Sequence, residues 1–224
     1  MKARLISYSK PHNIIGLDDV QDLIAYAARV SNPSNQMNSE TAEKLIRYLI
    51  KHQHWSPLEM ASACVEIETT RDIARQILRH RSFSFQEFSQ RYADPTQDLD
   101  FVLRDARLQD TKNRQNSVEI DSVYNPVHKV LKEDWEAKQQ AVIDASKDAY
   151  KWAIDNGIAK EQARAVLPEG NTVSRLYMNG TLRSWIHYIE LRSGHGTQLE
   201  HIELARVIGK VIAEVFPMTE EFIN

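Results

Sequence analysis

The stretch Arg79–Arg91 reads RHRSFSFQEFSQR, and the rest of the chain is read outward from it. Three guanidiniums (Arg79, Arg81, Arg91), the imidazole of His80, the hydroxyl of Ser89 and the carboxylate of Glu87 stand within thirteen residues. A guanidinium is permanently charged and presents a planar fork of donors, so several together form a seat for phosphate or another cluster of anionic oxygens. Just upstream, Arg71, Arg75 and Arg79 recur every four residues while Ile73, Ile77 and Leu78 face another way, which predicts a helix over 71–79. That register sets Gln76 and Arg79 one turn apart at the helix end next to the motif. The plainer alternative is a solvated basic helix-loop with a capping serine.

Whole-chain properties narrow the ligand class. The 224 residues carry a net charge of −3, yet from Arg71 to Arg91 there are five arginines and His80 against only Asp72 and Glu87. A focused basic pocket on a mildly acidic chain suits a small anionic ligand better than a polyanion, which argues against a nucleic-acid partner. A single cysteine, Cys64, excludes an internal disulfide framework and fits a reducing cytoplasm. No apolar stretch approaches membrane-spanning length, and the opening MKARLISYSK has too short an apolar run for a signal peptide.

The patterning predicts an α+β fold: one domain over 1–224, with mixed helices and a small, mainly antiparallel sheet. Strands are expected at 3–8, at ASACVEIET (61–69), near FVLR (101–104) and at TVSRLYMN (172–179). Helices are expected at 19–30, from a cap at Ser39 to Lys51, at 71–79, and from Pro126 to Asn156 with a stop at Gly157. A short helix leads to Leu167-Pro168, and helices over 181–192 and 198–214 close the chain. The remainder of 95–125 reads as loop.

The spacing RHR, seven residues, Ser, one residue, Arg resembles the signature of flavin-dependent thymidylate synthases, the ThyX family. Five fixed identities match by chance about once in 10⁴ chains of this length, given average residue usage. Other blocks extend the resemblance: AARVS (Ala27–Ser31), H-x-H-x-x-P-x-E (His52–Glu59), ARAVLP (Ala163–Pro168) and RSWIHYIELR (Arg183–Arg192). It implies reductive methylation of dUMP to dTMP. Methylenetetrahydrofolate would give the carbon, FAD reduced by NADPH the hydride, and the enzyme would be a cytoplasmic homotetramer with sites between subunits. Residue by residue, it places Gln76, Arg79, Glu87, Ser89, Arg91, Arg164 and Arg192 on dUMP. Ser31, His54, Ser56, Arg79, His80, Arg81, Glu87, Arg183 and His187 fall on FAD, with His187 where the family commonly has Asn. Arg192 takes the catalytic role, stabilising negative charge on the pyrimidine so that it reacts. Taken alone, His54 and Arg192 would be ordinary cations at helix C-termini.

Other chemistry finds less support. Cys64, the only candidate for the nucleophile of an ordinary thymidylate synthase, reads as a small core residue within a strand. Ser89 has no evident base partner and reads as a binding residue. There is no G-x-G-x-x-G for a Rossmann cofactor site, and His52 and His54 without nearby Cys or Asp make no metal site. Two rivals stay open: a flavin-dependent methylase for another pyrimidine or methylene donor, and a non-catalytic binder of RNA or a nucleotide.

Overall fold

The computed structural model describes residues 1–13 and 16–224. In chain order its main elements are β1 (Lys2–Tyr8), α1 (Val20–Ala28), α2 (Ala42–Lys51), β2 (Ser62–Thr70), α3 (Arg71–Ile77) and β3 (Ser84–Glu87). There follow α4 (Pro95–Asp98), β4 (Arg107–Gln109), β5 (Ser117–Glu119), α5 (Pro126–Asp155), α6 (Lys160–Ala163), β6 (Val173–Thr181), α7 (Leu182–Ser193) and α8 (Leu199–Ala213). Four strands form one sheet in the order β1-β2-β6-β3. Its neighbours run antiparallel. Ser9 N–H donates to Ser62 O where β1 ends and β2 begins, and Leu182 N–H to Ala61 O where β6 ends and β2 begins. Arg71 N–H to Thr172 O closes the other end of that pair, and Phe88 N–H to Arg175 O ties β3 to β6. Among the described residues no helix is long and apolar enough to cross a membrane.

The chain divides into two compact units: Met1, Glu68–Arg79 and Glu87–Leu176 form the first, and Lys2–Ile67, His80–Gln86 and Tyr177–Asn224 the second. In the second unit the apolar periodicity of the terminal helices closes a core. Trp185, Ile186 and Ile189 of α7 are buried, as are Leu204, Ile208 and Ile212 of α8 and Ile24 of α1. Trp185 also satisfies its indole, donating from Nε1 to Ala63 O at 3.0 Å. In the first unit the 30-residue α5 starts under the side chain of Asn125, which accepts from Val127 N and His128 N. It stops where Gly157 turns at φ +78°, a conformation that favours glycine. Tyr150 and Ala153 of α5 pack with Ala163 and Leu167. Gln139 grips the backbone of Arg104 in both directions, at 2.8 and 3.0 Å.

Three local expectations need correction. FVLR is not a strand: Phe101 makes a single bridge to Thr172, and the hairpin β4–β5 follows instead. Within the signature, Ser84–Glu87 is an edge strand rather than helix or loop. Cys64 sits on β2 as expected but in the other phase. Ala63, Val65 and Ile67 point into the core, so the period of two leaves Cys64 half-exposed on the opposite face. Partial burial still pushes its thiol pKa up, away from the reactive thiolate.

Phe83 anchors the motif. Its ring is buried against the edge of Trp185 (4.7 Å between centroids) and lies over Gly180 of β6. A methyl group on Gly180 would overlap that ring. Gly180→Ala therefore displaces Phe83 and is expected to cost about 1–3 kcal/mol by overpacking, read as a lower midpoint in urea unfolding.

Candidate functional site

In the first unit, α3 ends at Ile77, so Arg79 projects beyond its last turn and is exposed, with half-buried Gln76 in the turn itself. Of the arginines spaced four apart, Arg71 and Arg75 already have carboxylate partners. Arg75 closes in a fork on Glu169, and Arg71 Nη1 lies 3.5 Å from Glu87 Oε1. Edge strand β3 positions Glu87 beside β6, where buried Ser174 donates to the same Oε1 at 2.7 Å. The carboxylate is thereby fixed in direction by a hydroxyl and a guanidinium.

Past β3 the backbone folds into a turn, with the N–H groups of Tyr92 and Ala93 both donating to Ser89 O at 3.1 Å. Ser89 Oγ accepts from Arg91 N–H, and Lys160 Nζ donates to Tyr92 O, fastening this turn to α6. Glu161 gathers the next two candidates. Arg91 Nη2 lies 3.3 Å from Glu161 Oε2, and Arg164 Nε donates to Glu161 O at 3.3 Å. Ser89, Arg91 and Arg164, two of them far from the third in sequence, are thus brought to one place. Two guanidiniums and a hydroxyl, drawn from the Ser89 turn and the end of α6, are donors of the kind a phosphate monoester takes.

In the second unit α7 carries the other group. Thr181 caps it, accepting from Ser184 N. Arg183 and His187 lie one turn apart on its exposed face. Arg183 Nη1 pairs with Glu59 Oε1 at 2.5 Å, and the His187 ring packs on Trp55 with centroids 4.4 Å apart. Both partners come from the segment 52–59, so the turn that bears exposed His54 and Ser56 is docked on α7. That segment follows a sharp end to α2: Gln53 adopts φ +58° and His54 N–H returns to Leu49 O. Burial lowers the His187 pKa, Arg183 lowers it further and Glu190 opposes, so the surroundings favour the neutral imidazole.

At the C-terminal end of α7, Arg192 Nε donates to His80 Nε2 at 2.9 Å. A guanidinium only donates, so this bond assigns the acceptor nitrogen of a neutral His80 to Nε2. The His80 ring stands on edge against buried Tyr188 (5.0 Å, 77°), and Tyr188 OH shares a hydrogen bond with His201 Nε2 at 3.0 Å. Arg81, the next residue, is exposed.

Ser31 lines a cavity of about 580 Å³ between α1 and α2, with Asn32, Asn35, Lys44 and Tyr48. Tyr48 stacks on His52 (4.2 Å) and meets the edge of His54 (6.3 Å), which links this cavity to the histidine turn. The volume is that of a small-molecule site, and the amides, lysine and phenol around it fit a nucleotide-sized group. Arg29 of AARVS is structural. It is buried and donates to Asn38 O and, at 2.8 Å, to Thr41 Oγ1, holding the loop that rims the cavity.

Comparison with known proteins then decides the family. The family model described as thymidylate synthase complementing protein matches residues 5–218, a span that contains every candidate residue. The chain is 47% identical over 220 residues to a probable flavin-dependent thymidylate synthase of Paramecium bursaria Chlorella virus 1 (97% of this chain, 96% of that one). The chain belongs to the flavin-dependent thymidylate synthase family. It is 45% identical over 219 residues to the flavin-dependent thymidylate synthase of Synechocystis, again covering 97% and 96% of the two chains. The fold agrees. The UMP/dUMP methylase PolB of Streptomyces cacaoi, solved with 5-Br dUMP, superimposes with a TM-score of 0.78 over 99% of this chain and 93% of its own, at 24% identity. A second structure of that methylase, with 5-Br UMP, gives 0.76 at 25% identity, covering 99% and 92%.

Sequence reading missed Glu161, Trp55 and Tyr48. Glu161 lies three residues before Arg164, a helical spacing that marks a neighbour, but its pairing with Arg91 is non-local. Glu59 stood inside the quoted H-x-H-x-x-P-x-E block without a role, and its partner Arg183 is equally distant along the chain.

Proposed function

We propose that this chain catalyses the reductive methylation of dUMP to dTMP, without a cysteine nucleophile. The convergence of Ser89, Arg91 and Arg164 carries the proposal, because it supplies the donors a nucleotide monophosphate needs. Gln76, Arg79 and Glu87 complete the dUMP set. Family membership at 45–47% identity to flavin-dependent thymidylate synthases supports the same substrate.

FAD fits the residues present. Ser31 opens onto a cavity large enough for part of a dinucleotide, and Arg81 and Arg183 offer exposed guanidiniums for its phosphates. His54, Ser56, Arg79, His80, Glu87 and His187 would hold the remainder. When bound, the flavin reduced by NADPH supplies the hydride, and methylenetetrahydrofolate supplies the carbon. The chain's own residues orient and polarise. Neutral His187 offers a ring nitrogen as donor without adding charge beside Arg183. Arg192 stabilises negative charge developing on the uracil ring, and its bond to His80 holds the guanidinium in direction. The chain acts as one functional domain over 1–224, in the cytoplasm, as a homotetramer with active sites between subunits. An exposed apolar row on α5 (Val127, Leu131, Trp135, Val142, Trp152) supports self-association.

The test is product analysis with reduced flavin and the folate donor, using the parent protein and Cys64→Ala. Both are expected to form dTMP at similar rates. Loss of turnover in a folded Cys64→Ala variant would sink the cysteine-free reading. A second reading, methylation of UMP, is favoured by the fold match to a structure solved with 5-Br UMP. Parallel assays with UMP separate the two.

A further inference from the structure

We propose that Glu161 is a specificity-determining residue of the phosphate seat. Its carboxylate pairs with Arg91, and a phosphate dianion must displace it to bind. The inference rests on reading Ser89, Arg91 and Arg164 as that seat. Glu161 meets the seat in two different ways. Its side chain reaches Arg91 at 3.3 Å, while its backbone carbonyl accepts from Arg164 at 3.3 Å. The backbone contact builds the seat; the side chain occupies it.

The exposure of the pair marks it as displaceable. Both side chains are half open to solvent, 58% for Arg91 and 50% for Glu161, and an ion pair so placed opens at a cost of only a few-fold in an equilibrium constant. Two other pairs, Arg4–Glu66 and Arg71–Glu87, lack that freedom. Glu66 is buried at 7% beneath Arg4, and Glu87 is clamped by Ser174 as well as Arg71. A carboxylate bears one negative charge, whereas a phosphate monoester bears nearly two near neutral pH and offers three oxygens. The monoester therefore outcompetes Glu161, and an uncharged nucleoside has nothing with which to displace it. Glu161 thus weakens every anion at the seat and, through the charge it demands, sharpens selection for the terminal monophosphate.

The experiment measures dUMP and deoxyuridine binding by calorimetry to the full-length protein, to Glu161→Gln and to Glu169→Gln. Glutamine keeps the backbone carbonyl for Arg164 and the length of the arm. Glu169→Gln removes the same charge from a pair on Arg75, outside the seat. Glu161→Gln is expected to tighten dUMP about two- to five-fold with no change for deoxyuridine, while Glu169→Gln leaves dUMP unchanged. Unchanged or weaker dUMP binding in Glu161→Gln would overturn the proposal, as would equal tightening in both variants. If the parent protein binds dUMP no better than deoxyuridine, the seat itself is misassigned and the proposal falls with it. That result is separable, because it appears before any substitution is made.

Discussion

Replacing Arg192 by alanine yields a folded protein that still takes up FAD and loses about 10²- to 10³-fold in turnover of dUMP, the range for removing one preorganised donor from developing negative charge. The expectation follows from where Arg192 sits. It lies in the last turn of α7, half-buried, with Nε committed to His80. The exposed face of α7 that carries Arg183 and His187 keeps its partners Glu59 and Trp55 in the variant, so flavin uptake is preserved. The buried face keeps Trp185, Ile186 and Ile189, so stability is little changed. Single-turnover kinetics separate the two effects. Undiminished turnover would remove Arg192 from the chemistry.

Trp185→Ala has the largest expected effect on stability, about 3–5 kcal/mol, the usual cost of truncating a buried aromatic to alanine. Trp185 is fully buried, its indole N–H is spent on Ala63 O, and its ring meets Phe83 and Tyr188 edge-on. Removing it opens a void and leaves a buried carbonyl without its partner. It also withdraws the wall against which Phe83 holds the signature. Against a total stability of about 5–15 kcal/mol this is a large share, and urea unfolding would show it directly. Trp185→Phe, which fills most of the volume and loses only the hydrogen bond, is expected to fall between parent and alanine variant. A loss below about 1 kcal/mol for the alanine variant would contradict the packing described.

Much of this was legible in the sequence because the informative residues are contiguous or regularly spaced. The periodicity of 126–156 gave the long helix within one residue of its end, with Gly157 as the stop. Leu182, Trp185, Ile186 and Ile189 recur at helical spacing, and they form the buried side of α7. What escaped depends on pairing at a distance. Strand β3 is four residues long and exists through its bonding to β6, a partner invisible from SFQE alone. The hairpin β4–β5 is exposed on most of both faces, so it carries no alternation to read. Cys64 lies on the strand expected for it but faces away from the core, since a shift of one residue in phase exchanges core for surface. At the site, residue type alone marks the guanidiniums, but Glu161 and Glu59, which hold two of them, are distant in sequence and become their neighbours only through folding.

The central claim, that this chain binds a flavin and a pyrimidine monophosphate, is tested most directly by one visible absorption measurement. Purified protein is incubated with FAD and desalted, and the spectrum is recorded before and after dUMP is added. A retained flavin band that shifts on adding dUMP is the predicted result. A colourless protein, or a flavin band indifferent to dUMP, would contradict it.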